Sequence, residues 1–545
     1  TYTAKWEKQG KYEGGKLIHH STTDFKEEFA NGDEEDPTFL TTTVINRKGF
    51  TLPTTGGFGT LLFKEVVLNP HQTEEINNSV VTYARHCATE SLMSVSGFTF
   101  RYNFSSEDDY NAYEATYDTF YNMCQQKLLS GGYSIYTSID MNIQNQLQQA
   151  VDNNLAAYTE KSSEGVYSMQ GAATCVDNST GNVVAIVGSR SQEDIKGYVL
   201  NRAYQSYRQP GSCIKPLNVY TPYLQLGNTP DTKVTDSQID GGPANADASY
   251  AGEMTLTDAV KWSKNTVAWN IYQQITPKTG SSFLIKMGFH KIWVDKDYNA
   301  GALGGFTYGV TTEEMAGGYA ALANDGVYRK ATCIRLIVNA SNKTVVNETN
   351  RDSKVYDKSA SRMMTQMLRE VVLSGTGTSA NVENAVVAGK TGTTNASKDV
   401  WFCGYSKYYT TTVWAGYDYP KEMSGVNSRV NAIFKDFMTA VHTNLPVTDF
   451  STVTQQTTQP ETTAAVQEET ESLPQETTAI VPETTGIEQV TPQQVPSTTA
   501  QVPTTTPYQR WTTAPAQPKT TAPMQYGDID ATTRTDPDAT ARGEW

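Results

Sequence analysis

The sequence predicts an α+β domain in the middle of a 545-residue chain, with a smaller module before it and a tail after it. Three observations carry that expectation. β-rich runs stand on both sides of a long helical stretch, so one sheet must be closed by segments far apart in sequence. The composition changes sharply near residue 450. The length, at about 150 residues per domain, leaves room for three or four domains and a large buried core.

Residues 1–50 mix charge, Gly and Thr without clear periodicity, and no element is assigned there. Helical patterns follow around Glu74–Met93 and Glu107–Leu129, separated by a strand-like Gly97–Phe104, so 1–130 is read as an N-terminal linker region. From Gly131 the pattern sharpens. Tyr133–Ile139 is β-rich, and Asp140 is placed to cap a helix carrying Ile143, Leu147, Val151 and Leu155 at four-residue intervals. Gly171–Val176, a turn at Asp177–Asn182 and Val183–Val187 predict a β-hairpin with buried arms. Helical stretches dominate from about 212 to 325, and strands return at Cys333–Val338, Val400–Tyr405 and Thr411–Tyr417. The domain is bounded at 131–448. Beyond it, 449–545 is rich in Thr, Pro, Gln and Glu. The segment from 451 on holds half of the 22 prolines, with 12 acidic and 4 basic residues. Such a stretch buries too little apolar surface to offset its ordering entropy, and it is expected to be disordered.

The balance of 43 Lys and Arg against 58 Asp and Glu gives a net charge of −15, which argues against nucleic acid as the main partner. No apolar run reaches the roughly 18 residues of a membrane-spanning helix. The sequence opens on Thr1 with no charged and apolar leader after it, so any targeting segment is expected upstream. The six cysteines, at 87, 124, 175, 213, 333 and 403, form no CxxC pair and read as buried thiols. No His, Cys or carboxylate cluster has metal-ligand spacing, so no metal and no cofactor are expected.

Three short motifs stand in order within the domain: Ser212-Cys-Ile-Lys215, Ser263-Lys-Asn265 and Lys390-Thr-Gly-Thr-Thr394. An isolated SxxK means little, since a chain this long contains about two by chance, whereas KTGTT occurs on the order of once per hundred such chains. Their ordered co-occurrence is the signal. On a helix, positions i and i+3 are neighbours, so Lys215 can bring its amine beside the Ser212 hydroxyl and take its proton. Gly211 permits a tight entry turn, and Pro216 is tolerated only in a first turn, which puts Ser212 at a helix N-terminus where the dipole favours developing negative charge. Ser263 and Asn265 differ by two, so a loop after the Asp258–Trp262 helical stretch is needed to aim both inward. Lys390–Thr393 reads as an edge strand, where Gly392 gives close access and free backbone groups can pair with an extended peptide.

These residues resemble the motif trio of the penicillin-binding protein and serine β-lactamase superfamily. The Tyr207–Pro216 segment, Gly301–Gly305, Tyr308–Val310, Gly375–Gly377 and Asp399–Phe402 are similar to the transpeptidase domain of class A penicillin-binding proteins. The resemblance covers about 131–445, and Phe98–Leu129 resembles the linker before that domain. It implies a central antiparallel sheet with helices on both sides and a helical subdomain. It further implies a serine D,D-transpeptidase that cross-links peptidoglycan stem peptides through an acyl-enzyme and is acylated by β-lactam antibiotics. In that family's pattern, Ser212 is the nucleophile, Lys215 the base and Ser263 the proton relay. Asn265 would hold the substrate amide, and Lys390, Thr391 and Thr393 the terminal carboxylate, with Gly392 between them. The Ser212 and Thr393 N–H groups would form the oxyanion hole. A membrane anchor and a glycosyltransferase domain are expected upstream, putting the domain on the outer face of the bacterial plasma membrane. Cys213 departs from the pattern, where a small residue is common. Two other readings stand beside this one: a hydrolytic carboxypeptidase or β-lactamase, and a non-catalytic wall-binding or sensor module. Against a β-lactamase, no Glu-x-x-x-Asn lies between the second and third motifs to supply a deacylation base.

Overall fold

The computed structural model describes residues 78–163, 165–191, 200–348 and 352–452, together with the backbone of three short strands before them. Those are β1 (Gly10–Glu13) and β2 (Lys16–His20), paired with each other, and β3 (Thr60–Leu61). All of the expected tail except 449–452 lies outside the described residues.

Helix α1 (Ser79–Val95) starts where the Asn78 carboxamide accepts the Val81 N–H at 2.9 Å, and α2 (Glu107–Ser130) starts at Ser106 with three acidic residues in its first turn. The strand expected at Gly97–Phe104 is absent. Phe98, Phe100 and Phe104 keep a spacing of two or four, but their rings pack on Tyr113, Tyr117 and Phe120 of α2, and among the described residues no neighbouring strand pairs with this backbone. Alternation here marks a ribbon laid on a helix. Tyr83, Leu92, Met93 and Phe98 join the same apolar core as the following domain.

Strand β4 (Ser134–Thr137) leads to α3 (Met141–Leu155), capped by the Asp140 carboxylate on the Asn142 and Ile143 N–H groups at 2.8 and 3.2 Å. The hairpin of β5 (Met169–Asp177) and β6 (Val183–Val187) follows. After the short α4 (Arg202–Gln205) the chain enters a helical subdomain of α5 (Thr221–Gln225), α6 (Leu256–Lys261), α7 (Asn265–Ile275) and α8 (Pro277–Lys286). Sequence reading missed the hairpin of β7 (Lys233–Asp236) and β8 (Gly252–Thr255) within it, two four-residue strands too short for a periodic signal. Helix α9 (Thr312–Ala323) opens on a reciprocal Thr311–Glu314 capping box. Then come β9 (Val327–Tyr328), β10 (Ile334–Val338), β11 (Thr344–Asn347), β12 (Ser353–Lys354) and α10 (Lys358–Ser374). The chain returns to the sheet through β13 (Ala388–Thr393), β14 (Asp399–Tyr405) and β15 (Tyr409–Tyr417), and α11 (Asn427–Val441) covers it.

The main sheet is antiparallel in the order β13, β14, β15, β5, β6, which closes segments more than 200 residues apart and leaves β13 as an edge. Its strands are buried on both faces. In β14, Val400 and Phe402 pack with α3 and α11 through Leu147, Val151, Ile433 and Phe434. Trp401, Cys403 and Tyr405 point the other way, into a core with Met315 and Tyr319 of α9 and Met364 and Leu368 of α10. This is the α+β architecture with helices on both sides of an antiparallel sheet. Residues 449–452, assigned by sequence to the tail, lie on the domain: the Phe450 ring meets Tyr405 edge-on at 5.5 Å, Asp449 pairs with Arg369 at 3.0 Å, and Arg362 donates to the Thr452 carbonyl at 2.8 Å. Two arginines and one aromatic ring extend the packed chain past a composition break that averages over longer windows.

Candidate active site

The first motif forms where the chain runs from β6 into the helical subdomain. Gly211–Ile214 is a 3₁₀ turn that passes into a π turn at Pro216–Tyr220 and then α5, in place of the simple helix N-terminus expected from the sequence. Pro216, with no N–H to give, stands at the first position of the π turn, where none is needed. The wider turn is pinned from several sides. The Tyr319 hydroxyl donates to the Cys213 carbonyl at 2.6 Å, Trp401 Nε1 to the Gln209 carbonyl at 2.8 Å, and Arg208 and Val310 exchange backbone bonds at 2.8 Å. Gly304, at φ +79, comes so close that a Cβ there would meet the Gly211 carbonyl oxygen at 2.5 Å.

The edge strand β13 is pressed against this turn. A Cβ on Gly392 would sit 2.4 Å from the Pro210 carbonyl oxygen and 2.7 Å from Cys213 Sγ, so only glycine fits. Cys213 is fully buried and its thiol donates to the Lys390 carbonyl at 3.1 Å, tying turn to strand. This is what the residue after Ser212 does here.

The second motif closes α6 in a Schellman arrangement: Lys264 N–H reaches the Ala259 carbonyl at 2.9 Å and Ser263 N–H the Val260 carbonyl at 3.1 Å. Ser263 is the left-handed residue of that cap, with φ +58, a position glycine ordinarily fills. Its two oxygens serve two lysines. Lys215 Nζ donates to the Ser263 carbonyl at 2.9 Å, to Asn265 Oδ1 at 2.7 Å and to the Lys264 carbonyl at 3.4 Å, while Lys390 Nζ donates to Ser263 Oγ at 2.8 Å and to the Thr391 carbonyl at 3.0 Å. The loop predicted after the helix therefore brings Lys215, Ser263, Asn265 and Lys390 together.

Both lysines are fully buried, and all of these acceptors are neutral oxygens. Burial, reinforced by the nearby Lys390 charge, holds the Lys215 amine well below the ordinary lysine range. Burial lowers Lys390 to about 8. This shift favours the uncharged amine of Lys215, the form a general base requires.

The substrate-binding residues expected on the third motif divide. Lys390 faces Ser263, Thr391 Oγ1 pairs with Thr376 Oγ1 at 2.8 Å, and the exposed Thr393 donates to Asn427 Oδ1 at 3.2 Å. Asn265 spends its carbonyl on Lys215 and its amide N–H on the Ala244 carbonyl at 2.9 Å. Sequence reading gave no role to Thr376, within Gly375–Gly377, and did not note Asn427, which starts a helix 34 residues past Thr393. Nor did it single out Asp236 and Asn245, which surround the second motif, or give a role to its middle residue, Lys264. No local pattern marks these positions, because their partners come from other elements.

Residues 171–439 match the family model described as penicillin binding protein transpeptidase domain. Among curated relatives, the chain is 33% identical over 343 residues to penicillin-binding protein 1A of Clostridium perfringens, covering 58% of this chain and 50% of the relative. It is also 33% identical over 333 residues to penicillin-binding protein 1F of Bacillus subtilis, covering 58% and 45%. The fold matches PonA1 of Mycobacterium tuberculosis, solved in complex with penicillin V, at a TM-score of 0.53 and 20% identity over 68% of this chain and 94% of that one. Penicillin-binding protein 1A of Haemophilus influenzae matches at a TM-score of 0.52 and 19% identity, over 65% and 72%. Over residues 171–439 the chain carries a penicillin-binding protein transpeptidase domain, similar to that of class A penicillin-binding proteins. It spans about half the length of the curated relatives it matches.

Proposed function

We propose that the chain is the transpeptidase part of a peptidoglycan synthase, with Ser212, Lys215 and Ser263 as its catalytic residues. The observation that supports this most is the single Ser263 residue, which holds Lys215 through its carbonyl and Lys390 through its hydroxyl. In the proposed reaction Ser212 Oγ attacks the carbonyl of the penultimate D-Ala of a stem peptide as its proton passes to Lys215. The tetrahedral oxyanion is held by the Ser212 and Thr393 N–H groups. The C–N bond breaks, and the departing D-Ala amine takes a proton through Ser263 Oγ. The amine of a second stem then attacks the ester and gives its proton back through Ser263 Oγ to Lys390, while Lys215 returns its proton to Ser212, which leaves as an alcohol. Asn265 orients the substrate amide, and Lys390, with the Thr391 and Thr393 hydroxyls beside Gly392, draws in the terminal carboxylate. A β-lactam enters the same first step and remains as the stable acyl-enzyme. By this reading the domain is 131–448, with 1–130 before it and 449–545 after it. It works on the outer face of the plasma membrane, joined upstream to an anchor and a glycosyltransferase domain.

Labelling with a fluorescent penicillin tests the nucleophile: wild type is labelled covalently and Ser212→Ala is not. Incubation with stem pentapeptide separates transfer from hydrolysis, since dimers with release of D-Ala support the transpeptidase and release of D-Ala without dimers makes the chain a carboxypeptidase. Labelling retained by Ser212→Ala refutes the assignment.

A further inference from the structure

Asn265 is the one side chain among the acceptors that orient Lys215, and it is held from outside its own motif. It is the first residue of α7, where the backbone N–H groups need acceptors, yet the Lys264 side chain at the cap position does not supply one. Asn245, 20 residues upstream, takes that place: its Oδ1 accepts the Asn265 N–H at 2.7 Å and the Thr266 N–H at 3.3 Å. The Asn245 carboxamide is fixed in turn by donating to Asp236 Oδ1 at 2.6 Å and to the Ser249 carbonyl at 2.8 Å.

Asp236, at the end of β7, is fully buried. Besides Asn245 it accepts from Thr266 Oγ1 at 2.5 Å and the Ala251 N–H at 2.9 Å, and Lys264 Nζ lies 3.3 Å away. Lys264 continues to Asp247 at 3.0 Å and the Ser249 carbonyl at 3.1 Å. A buried carboxylate with this many donors is fixed in direction, since turning it would orphan several buried groups at once. The middle residue of the second motif is therefore bolted to the same carboxylate that orients the cap on its third residue.

We infer that Asp236 and Asn245 are positioning residues for acyl transfer: the 236–251 loop clamps the second motif so that Asn265 Oδ1 meets Lys215 Nζ. This rests on the reading of Lys215 as base. The side-chain hydrogen bonds of Asp236 and Asn245 go to Thr266, Ala251, Ser249 and Asn265 and to each other, and not to Ser212 or Lys215, so the effect is indirect.

The test resolves penicillin acylation of the full chain by stopped flow into a noncovalent binding constant and an acylation rate constant. Asn245→Ala is expected to lower the rate constant at least tenfold while changing the binding constant less than about threefold, because a displaced base is missed in the transition state and not in binding. In an Asn265→Ala background the same substitution is expected to change the rate constant less than about twofold, since the contact it acts through is already gone. Asp236→Asn is expected to repeat the pattern more weakly, because it keeps the shape but turns an amide N–H toward a donor. Equal losses from Asn245→Ala in both backgrounds, or an unchanged rate constant in the single variant, overturn the inference. An Asp236→Asn chain that does not fold leaves the Asn245→Ala cycle to decide. If wild type is not acylated by penicillin, the functional reading has failed, and that result is distinct from an acylated wild type with an indifferent Asn245→Ala.

Discussion

Ser263 occupies the left-handed position of a helix cap at φ +58, where a side chain costs about 1–2 kcal/mol and glycine costs almost nothing. A comparison of Ser263→Gly with Ser263→Ala isolates that strain. Both variants lose the hydroxyl that accepts from Lys390, so that loss cancels between them. Glycine gives back part of its advantage through greater freedom in the unfolded chain, about 0.4–1 kcal/mol. The Gly variant should therefore exceed the Ala variant by about 1 kcal/mol, a melting difference of roughly 2 °C in a domain of this size. Both should acylate penicillin about 10²-fold or more below wild type, the usual worth of a positioned proton-transfer group. Differential scanning calorimetry and stopped-flow acylation on the same preparations read the two quantities. If the Ala variant melts as high as the Gly variant, the left-handed geometry is not what the site maintains. If either acylates at the wild-type rate, the hydroxyl carries no proton.

The buried Lys390 ammonium, with its pKa lowered to about 8, should give acylation by a carboxylate-bearing penicillin an alkaline limb. The rate falls as pH rises through about 8 and Lys390 loses its proton, and Lys390→Arg, charged throughout, should move that limb upward in a pH-rate profile. Gly392→Ala should slow acylation about 10²-fold, since a contact of 2.4 Å must open by about 1 Å. Cys213→Ala should not rescue it, because the nearer obstacle is the Pro210 backbone; kinetics of the double variant check this. Truncation after Thr452 should leave the melting temperature unchanged, whereas truncation after Thr448 should lower it by a few degrees, because it strips Phe450 from Tyr405 and removes Asp449 from Arg369.

What could be read in advance was whatever repeats or is local. The four-residue spacing of α3, the Asp140 cap, the β5–β6 hairpin and the edge placement of β13 are patterns within a few residues of themselves. The three motifs were legible for the same reason, and they converge on Ser263. What escaped is non-local. Phe98–Phe104 alternates like a strand but finds its partner in the rings of α2. The π turn at Pro216–Tyr220 depends on Tyr319 and on the strand pressed against Gly211, neither of which is near in sequence. Asn245 caps a helix from 20 residues upstream, and no capping rule looks that far.

The arrangement of the two lysines constrains the order of proton movements. Lys215 is buried with neutral acceptors and next to the Lys390 charge, so gaining a proton from Ser212 creates a second ammonium in a site that disfavours even one. On the proposed reading that state is relieved when a proton leaves through the group lying between them. Ser263 is that group: its carbonyl faces Lys215 and its hydroxyl already accepts from Lys390. As Ser263 Oγ gives its own proton to the departing amine, Lys390 can replace it across 2.8 Å. The lysines then hold one ammonium between them again. On this reading, relief of the repulsion between two buried cations favours the leaving group's protonation and couples collapse of the tetrahedral intermediate to the proton taken from Ser212.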